Sequence, residues 1–180
     1  MPIFSHRLFS NKTYCALLVC LLALAYSRGG ANSTTEPAFS KDSYLEALSI
    51  ELNKTWPDNR TINIVYHGHS VPAGYFKTPI VDTFNAYPHL LHRGLKERFP
   101  HAVINVIVTS IGGESSDKGA ARFEETVLNH NPDLILIDYA LNDRRLGLET
   151  ARTAWESMIQ AAKSQNIKTI LLTPTGDSRA

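Results

Sequence analysis

Cysteine is almost missing from this 180-residue chain, and the two it has, Cys15 and Cys20, lie near the amino terminus. A disulfide framework and a cysteine-rich metal site are therefore excluded. An excess of one charge is missing too: 18 Lys+Arg stand against 17 Asp+Glu, a formal net charge of +1. Basic residues are scattered, and the one aromatic-rich stretch, residues 66–87, carries a single lysine, so nothing suggests nucleic acid as a partner. There is no collagen-like repeat and no sign of gross disorder. What is present is 43% apolar residues, enough in a chain of this length for one domain with a real core.

Acidic residues are absent from the first 35 positions. His6, Arg7 and Lys12 precede an apolar run over residues 14–26, and Ala23-Leu24-Ala25 offers small residues at signal-peptidase spacing. Residues 1–25 read as a secretory signal peptide, cleaved after Ala25 or a few residues later, and the protein as secreted or periplasmic. The run is too short to cross ~30 Å of hydrocarbon comfortably, so no stable membrane insertion is expected after cleavage. Val19 is too large for the position before a lipidated cysteine, which argues against Cys20 as a lipid anchor. Cleavage would remove Arg7, Lys12 and both cysteines but no acid, taking the net charge from +1 to −1. The sequons at Asn32, Asn53 and Asn59 could be glycosylated only in a eukaryotic secretory pathway.

Residues 26–40, rich in Gly, Ser, Thr and Asn, read as a flexible N-terminal segment, with one domain over 41–180. Asp42 or Ser43 is placed to cap a helix running to about Lys54. The β-branched run 61–66 predicts a first strand that breaks at His67-Gly68-His69-Ser70. Further strands are predicted over 102–108, 133–138 and 168–173, and helices over 87–99, 115–129 and 148–166. Short strands apolar on both faces, alternating with helices, specify a parallel sheet covered by helices. Ligands of such sheets bind beyond the C-terminal strand ends. The informative loops are then Gly68–Ser70, Gly112–Gly113 and Asn142–Asp143, with Thr173-Pro174-Thr175 at the same edge.

Ser70 follows a strand end with Gly68 nearby to allow close backbone approach. Its hydroxyl and its N–H can both face a site, which suits nucleophilic acyl transfer. Gly113 exposes an N–H with no side chain in the way, and Asn142 carries a side-chain NH₂. Each has an ordinary alternative role, as a turn or capping residue. Together they form one nucleophile and three oxyanion donors at a single sheet edge. No histidine is well placed as a base. His101 and His130 precede strands, His89 and His92 start a helix away from the site, and the His67 and His69 side chains are expected to point elsewhere. His67 and His69 lack a third ligand, so no metal is expected.

These residues resemble the SGNH hydrolases, also called GDSL-like lipases and esterases. The Gly-Asp-Ser block is matched by Gly68-His69-Ser70, followed by Val71-Pro72-Ala73-Gly74-Tyr75, which is similar to a GHS-bearing variant. The second block is matched by Ser110-Ile111-Gly112-Gly113-Glu114-Ser115, and Gly-x-Asn-Asp by Ala140-Leu141-Asn142-Asp143. His69 in place of Asp and Ala140 in place of Gly are departures. The family's Asp-x-x-His block, which supplies the triad Asp and the base His, has no match, and Asp177 is not followed by a His at the right spacing.

The resemblance implies a flavodoxin-like three-layer α/β/α sandwich, incomplete at its C-terminus. It implies a cofactor-free serine ester hydrolase working through an acyl-enzyme. Ser70 would be the nucleophile and an N–H donor, Gly113 a second N–H donor and Asn142 a side-chain donor. Tyr75, Phe76 and Phe84 would line the acyl or alcohol side or simply pack. The substrate would be a small-molecule or polysaccharide ester. The chain is expected to be a fragment lacking the base His. The alternatives are a non-catalytic SGNH-like domain that binds carbohydrate or another ligand, and a generic flavodoxin-like domain. Pro72 makes the last a poor phosphate loop, because it removes a donor.

Overall fold

The computed structural model describes residues 43–173. The leader, both cysteines, residues 26–40, Asp42, the Asn32 sequon and residues 174–180 lie outside the described residues. Contacts divide the chain into Met1–Ser49 and Ile50–Ala180. Helix α1 (Glu46–Asn53) begins in the first unit, and every strand and every site residue belongs to the second.

Thr61–Gly68 forms strand β1, Val103–Val108 β2, Leu134–Asp138 β3 and Lys168–Leu171 β4. All pair in parallel, in the order β2-β1-β3-β4. Tyr66 pairs with Val108 and Gly68 with Asp138, so β1, β2 and β3 end close to one another along one edge. Strand β1 runs two residues past the predicted break at His67, because His67 and Gly68 continue the ladder against Ile137 and Asp138.

The sheet is covered on both faces. Val65, Ile135 and Ile137 face one core with Phe123, Val127, Leu128, Met158 and Ala162. Phe123 opens helix α5 (Phe123–Thr126), and Met158 and Ala162 lie on α6 (Leu148–Ser164). Ala154, Met158 and Ala162 recur every four residues and form the buried stripe of α6. Neighbouring strand residues point to the opposite face, where the ring of Tyr66 meets Tyr87 at 5.8 Å, edge to face. Tyr87 begins helix α3 (Tyr87–Arg98), with Pro88 at its start, where a missing N–H costs nothing. Strand β3 is buried at its first four positions, Leu134 to Ile137, as the unbroken apolar run predicts.

The helix predicted over 115–129 is broken. Helix α4 (Ser116–Ala121) stops at Arg122, whose backbone (φ −109°, ψ 5°) separates it from α5, and a 3₁₀ turn follows at Leu128–His130. Asn131 then takes a left-handed φ of 48° before Pro132. The sequence explains this last stop, but not the one at Arg122. Two further elements carry site residues: the single helical turn α2 (Ser70–Ala73) and a 3₁₀ turn at Asn142–Arg145.

Candidate active site

Gly68 ends β1 opposite Asp138, the last residue of β3. A Cβ there would lie 2.5 Å from the Asp138 carbonyl oxygen. The His69 N–H then donates to that same oxygen at 3.2 Å. From this point the chain turns into α2. His69 is its N-cap, and its Nδ1 accepts the Val71 N–H at 3.2 Å. Gly74 closes the turn at φ +99°, returning its N–H to the Ser70 and Val71 carbonyls. Among the described residues the Ser70 N–H has no hydrogen-bond acceptor.

The loop after β2 is tied back to β1. Thr109 N–H donates to Tyr66 O at 2.9 Å and Ile111 N–H to Gly68 O at 3.0 Å. Gly113 comes two residues later at φ +78°, with open space where a Cβ would stand. Its N–H also has no acceptor among the described residues. The Asn142 amide donates one hydrogen to the Glu114 carbonyl at 2.8 Å, leaving its second. Beside it, the Asp143 carboxylate accepts the Ser116 N–H at 2.8 Å and the Trp155 indole N–H at 2.6 Å. The asparagine-bearing turn is thereby fastened to α4 and α6.

Two clefts open along this edge. One, of about 360 Å³, is lined by Ser70, Tyr75, Thr78, Gly112 and Gly113. The other, of about 390 Å³, is lined by Gly113, Leu141, Asn142, Arg144 and Arg145. Gly113 is the wall they share, with Ser70 on one side and Asn142 on the other. Tyr75 lines the first cleft and packs on Gly112, whose Cβ would be 3.3 Å from its ring. Phe76 and Phe84 are exposed and line neither cleft.

Histidine placement is mixed. The Asn63 amide bonds the His130 carbonyl and the Asn59 amide the His101 carbonyl, near the strand starts, as expected. His89 meets the ring of Phe84 at 5.5 Å. His69 needs correction. It was expected to point elsewhere, but as the N-cap its ring folds back over the turn, and Nδ1 comes to 3.5 Å from Ser70 Oγ. Its Nε2 lies 3.3 Å from Asp138 Oδ1, though not aligned as a hydrogen bond. We read this as an N–H facing a carboxylate rather than an ion pair, because Nδ1 is occupied as an acceptor and the ring carries one hydrogen. The Tyr87 hydroxyl holds the other Asp138 oxygen at 3.1 Å. Burial first, and Asp138 second, push the Tyr87 hydroxyl pKa up.

Sequence reasoning missed a buried polar cluster under the Gly113 loop. Glu114 accepts from Arg122 Nε at 2.9 Å, Arg122 Nη2 at 2.5 Å and the Tyr139 hydroxyl at 2.7 Å. Burial raises the Glu114 pKa, but the bonds from Arg122 and Tyr139 outweigh it and hold the carboxyl below its ordinary range. His67 Nε2 faces the Gly119 carbonyl and the Tyr139 oxygen, each at 3.1 Å, and Nδ1 faces the Thr109 hydroxyl at 2.8 Å. Nε2 therefore carries the hydrogen. Burial, with Arg122 adding to it, lowers the His67 pKa to about 4. The available signal was Gly119 inside a predicted helix: a Cβ there would fall 2.2 Å from the Tyr139 oxygen. Among the described residues no three His, Cys, Asp or Glu side chains are grouped to hold a metal, and no helix is long and apolar enough to cross a membrane.

No curated protein matches the chain, but solved structures do. A two-domain esterase active on acetylated mannans shares the fold, with 23% identity and a TM-score of 0.63 over 72% of this chain and 33% of that one. A lipase/acylhydrolase from Enterococcus faecalis is 27% identical, with a TM-score of 0.53 over 65% of this chain and 60% of that one. An acetyl xylan esterase gives 24% and 0.51 over 63% and 58%. The chain thus spans a third of the mannan esterase and about three-fifths of the other two. Residues 66–180 match the GDSL-like Lipase/Acylhydrolase family, and the chain belongs to that family.

Proposed function

We propose that this chain carries the nucleophile and the oxyanion site of a serine ester hydrolase. The observation that carries the reading is Gly113, with its unpaired N–H, standing between a cleft that holds Ser70 and one that holds Asn142. Ser70 Oγ attacks the ester carbonyl carbon as its proton passes to a base. The carbonyl oxygen takes up the charge and is met by the N–H groups of Ser70 and Gly113 and by the second Asn142 amide hydrogen. Collapse expels the alcohol, which recovers the proton. Water then attacks the acyl-Ser70 carbonyl and releases the acid. In this reading the base is a histidine oriented by an aspartate, and no histidine among the described residues is assigned that role.

The substrate class we favour is a small acyl, above all acetyl, ester on a polysaccharide. The mannan and xylan esterases that share the fold support it, and the signal-like pattern of residues 1–25 supports a secreted or periplasmic location. In the protein with its base in place, Ser70→Ala is expected to lower p-nitrophenyl acetate hydrolysis by roughly 10⁴-fold or more, with circular dichroism unchanged. Full activity in that variant would overturn the reading.

A further inference from the structure

We propose that His69 is a positioning residue for Ser70, acting through a ring tautomer that Asp138 selects. The kinetic part of this inference rests on the esterase reading; the tautomer does not.

The imidazole is 1% exposed, and three polar atoms face its two nitrogens. Nδ1 accepts the Val71 N–H at 3.2 Å and lies 3.5 Å from Ser70 Oγ. Nε2 is buried with no aligned acceptor and faces Asp138 Oδ1 at 3.3 Å. The Tyr87 hydroxyl, 3.1 Å away, fixes the carboxylate from the far side. In the opposite tautomer, Nδ1–H would confront the Val71 N–H, and the Nε2 lone pair would face a carboxylate. Both contacts are repulsive, so Asp138 selects the form that can cap.

The cap has a direct consequence for the nucleophile. It uses the Val71 N–H, while the N–H of Ser70, a residue that lines the cleft, has no acceptor among the described residues. It also places an acceptor, not a donor, beside Ser70 Oγ. An Asp, Asn or Ser at position 69 could cap the turn, but none is long enough to do that and also present an N–H to Asp138. The link from Ser70 through His69 and Asp138 to Tyr87 thus ties the turn after β1 to the end of β3 and the start of α3.

The first test is the ¹⁵N spectrum of the imidazole nitrogens in the whole protein near neutral pH. The expected result is a single His69 tautomer with hydrogen on Nε2, becoming a mixture in Asp138→Leu. Tyr87→Phe should shift it the same way more weakly, and serves if Asp138→Leu does not fold. An Nδ1–H or doubly protonated ring in the wild type overturns the inference. The second test is the rate at which a fluorophosphonate probe labels Ser70. His69→Ala should slow labelling of folded protein about 10- to 100-fold. His69→Asn, which keeps a cap acceptor but loses the link, should slow it less, and His101→Gln should not change it. A purely structural histidine would lower the unfolding midpoint but leave the labelling rate of folded molecules untouched, and that result overturns the positioning role. Wild type that takes no label at Ser70 sinks the esterase reading. A single Nε2–H tautomer in that protein would leave His69 and Asp138 as a structural clamp only, which also overturns the role.

Discussion

His67 and His69 stand two residues apart and are equally buried, yet their regions differ in kind. Around His67 every polar group is used by a neighbour: Thr109, Gly119, Tyr139, Glu114 and Arg122 close on one another. Around His69 the bonding is left open on the cleft side, at the Ser70 N–H, which has no acceptor among the described residues. Burial and residue type therefore do not separate a scaffold histidine from a functional one. What separates them is whether the polar atoms nearby are already satisfied. The closed cluster holds up the loop that bears Gly113, and the open turn presents Ser70 to the cleft.

The largest expected effect falls on the closed cluster. Gly119→Ala would force a methyl against the Tyr139 hydroxyl, and should cost about 3 kcal/mol in urea unfolding. A loss below about 0.5 kcal/mol, the range of a neutral surface change, would show that the cluster relaxes easily and would break the contrast. Acidification comes next. The folded His67 pKa of about 4 lies below the unfolded value of about 6.5. The unfolded chain therefore binds this proton first as the pH falls. The His67 contribution is fully present above about pH 6.5 and is lost between there and pH 4, about 2 kcal/mol of it from pH 7 to 5. His67→Gln should flatten that part of the profile, and equal pH slopes for the two proteins would refute the assignment. The smallest effect on stability belongs to the open side. Gly113→Ala meets no atom and bears only the cost of a positive φ, about 1 kcal/mol. Ester hydrolysis should fall by more than that, and a stability loss as large as that of Gly119→Ala would erase the distinction between the two regions.

The sheet and its helices were legible because β2 and β3 read as nearly apolar on both faces, the run before His67 is β-branched, and helical stretches alternate with the strands. The edge that gathers Ser70, Gly113 and Asn142 was legible for the same reason, since loop order after parallel strands fixes which residues meet. What the sequence hid depends on contacts between distant positions. Polar His67 reads as a strand break, yet the ladder continues because Ile137 lies beside it. Arg122 reads as a helix interior, yet its side chain reaches back to Glu114 and to the Thr109 carbonyl, where the helix divides. The reach of His69 needed both the turn and Asp138, which is 69 positions further along.

The Asp143 bond to Trp155 has a practical use. The chain has two tryptophans, and the other, Trp56, is 84% exposed. The two indoles should emit at different wavelengths, the sheltered one to the blue. Reading the blue edge of the emission would then make Trp155 a built-in optical probe of Asp143, the residue next to Asn142, readable without labels as ligand is titrated in.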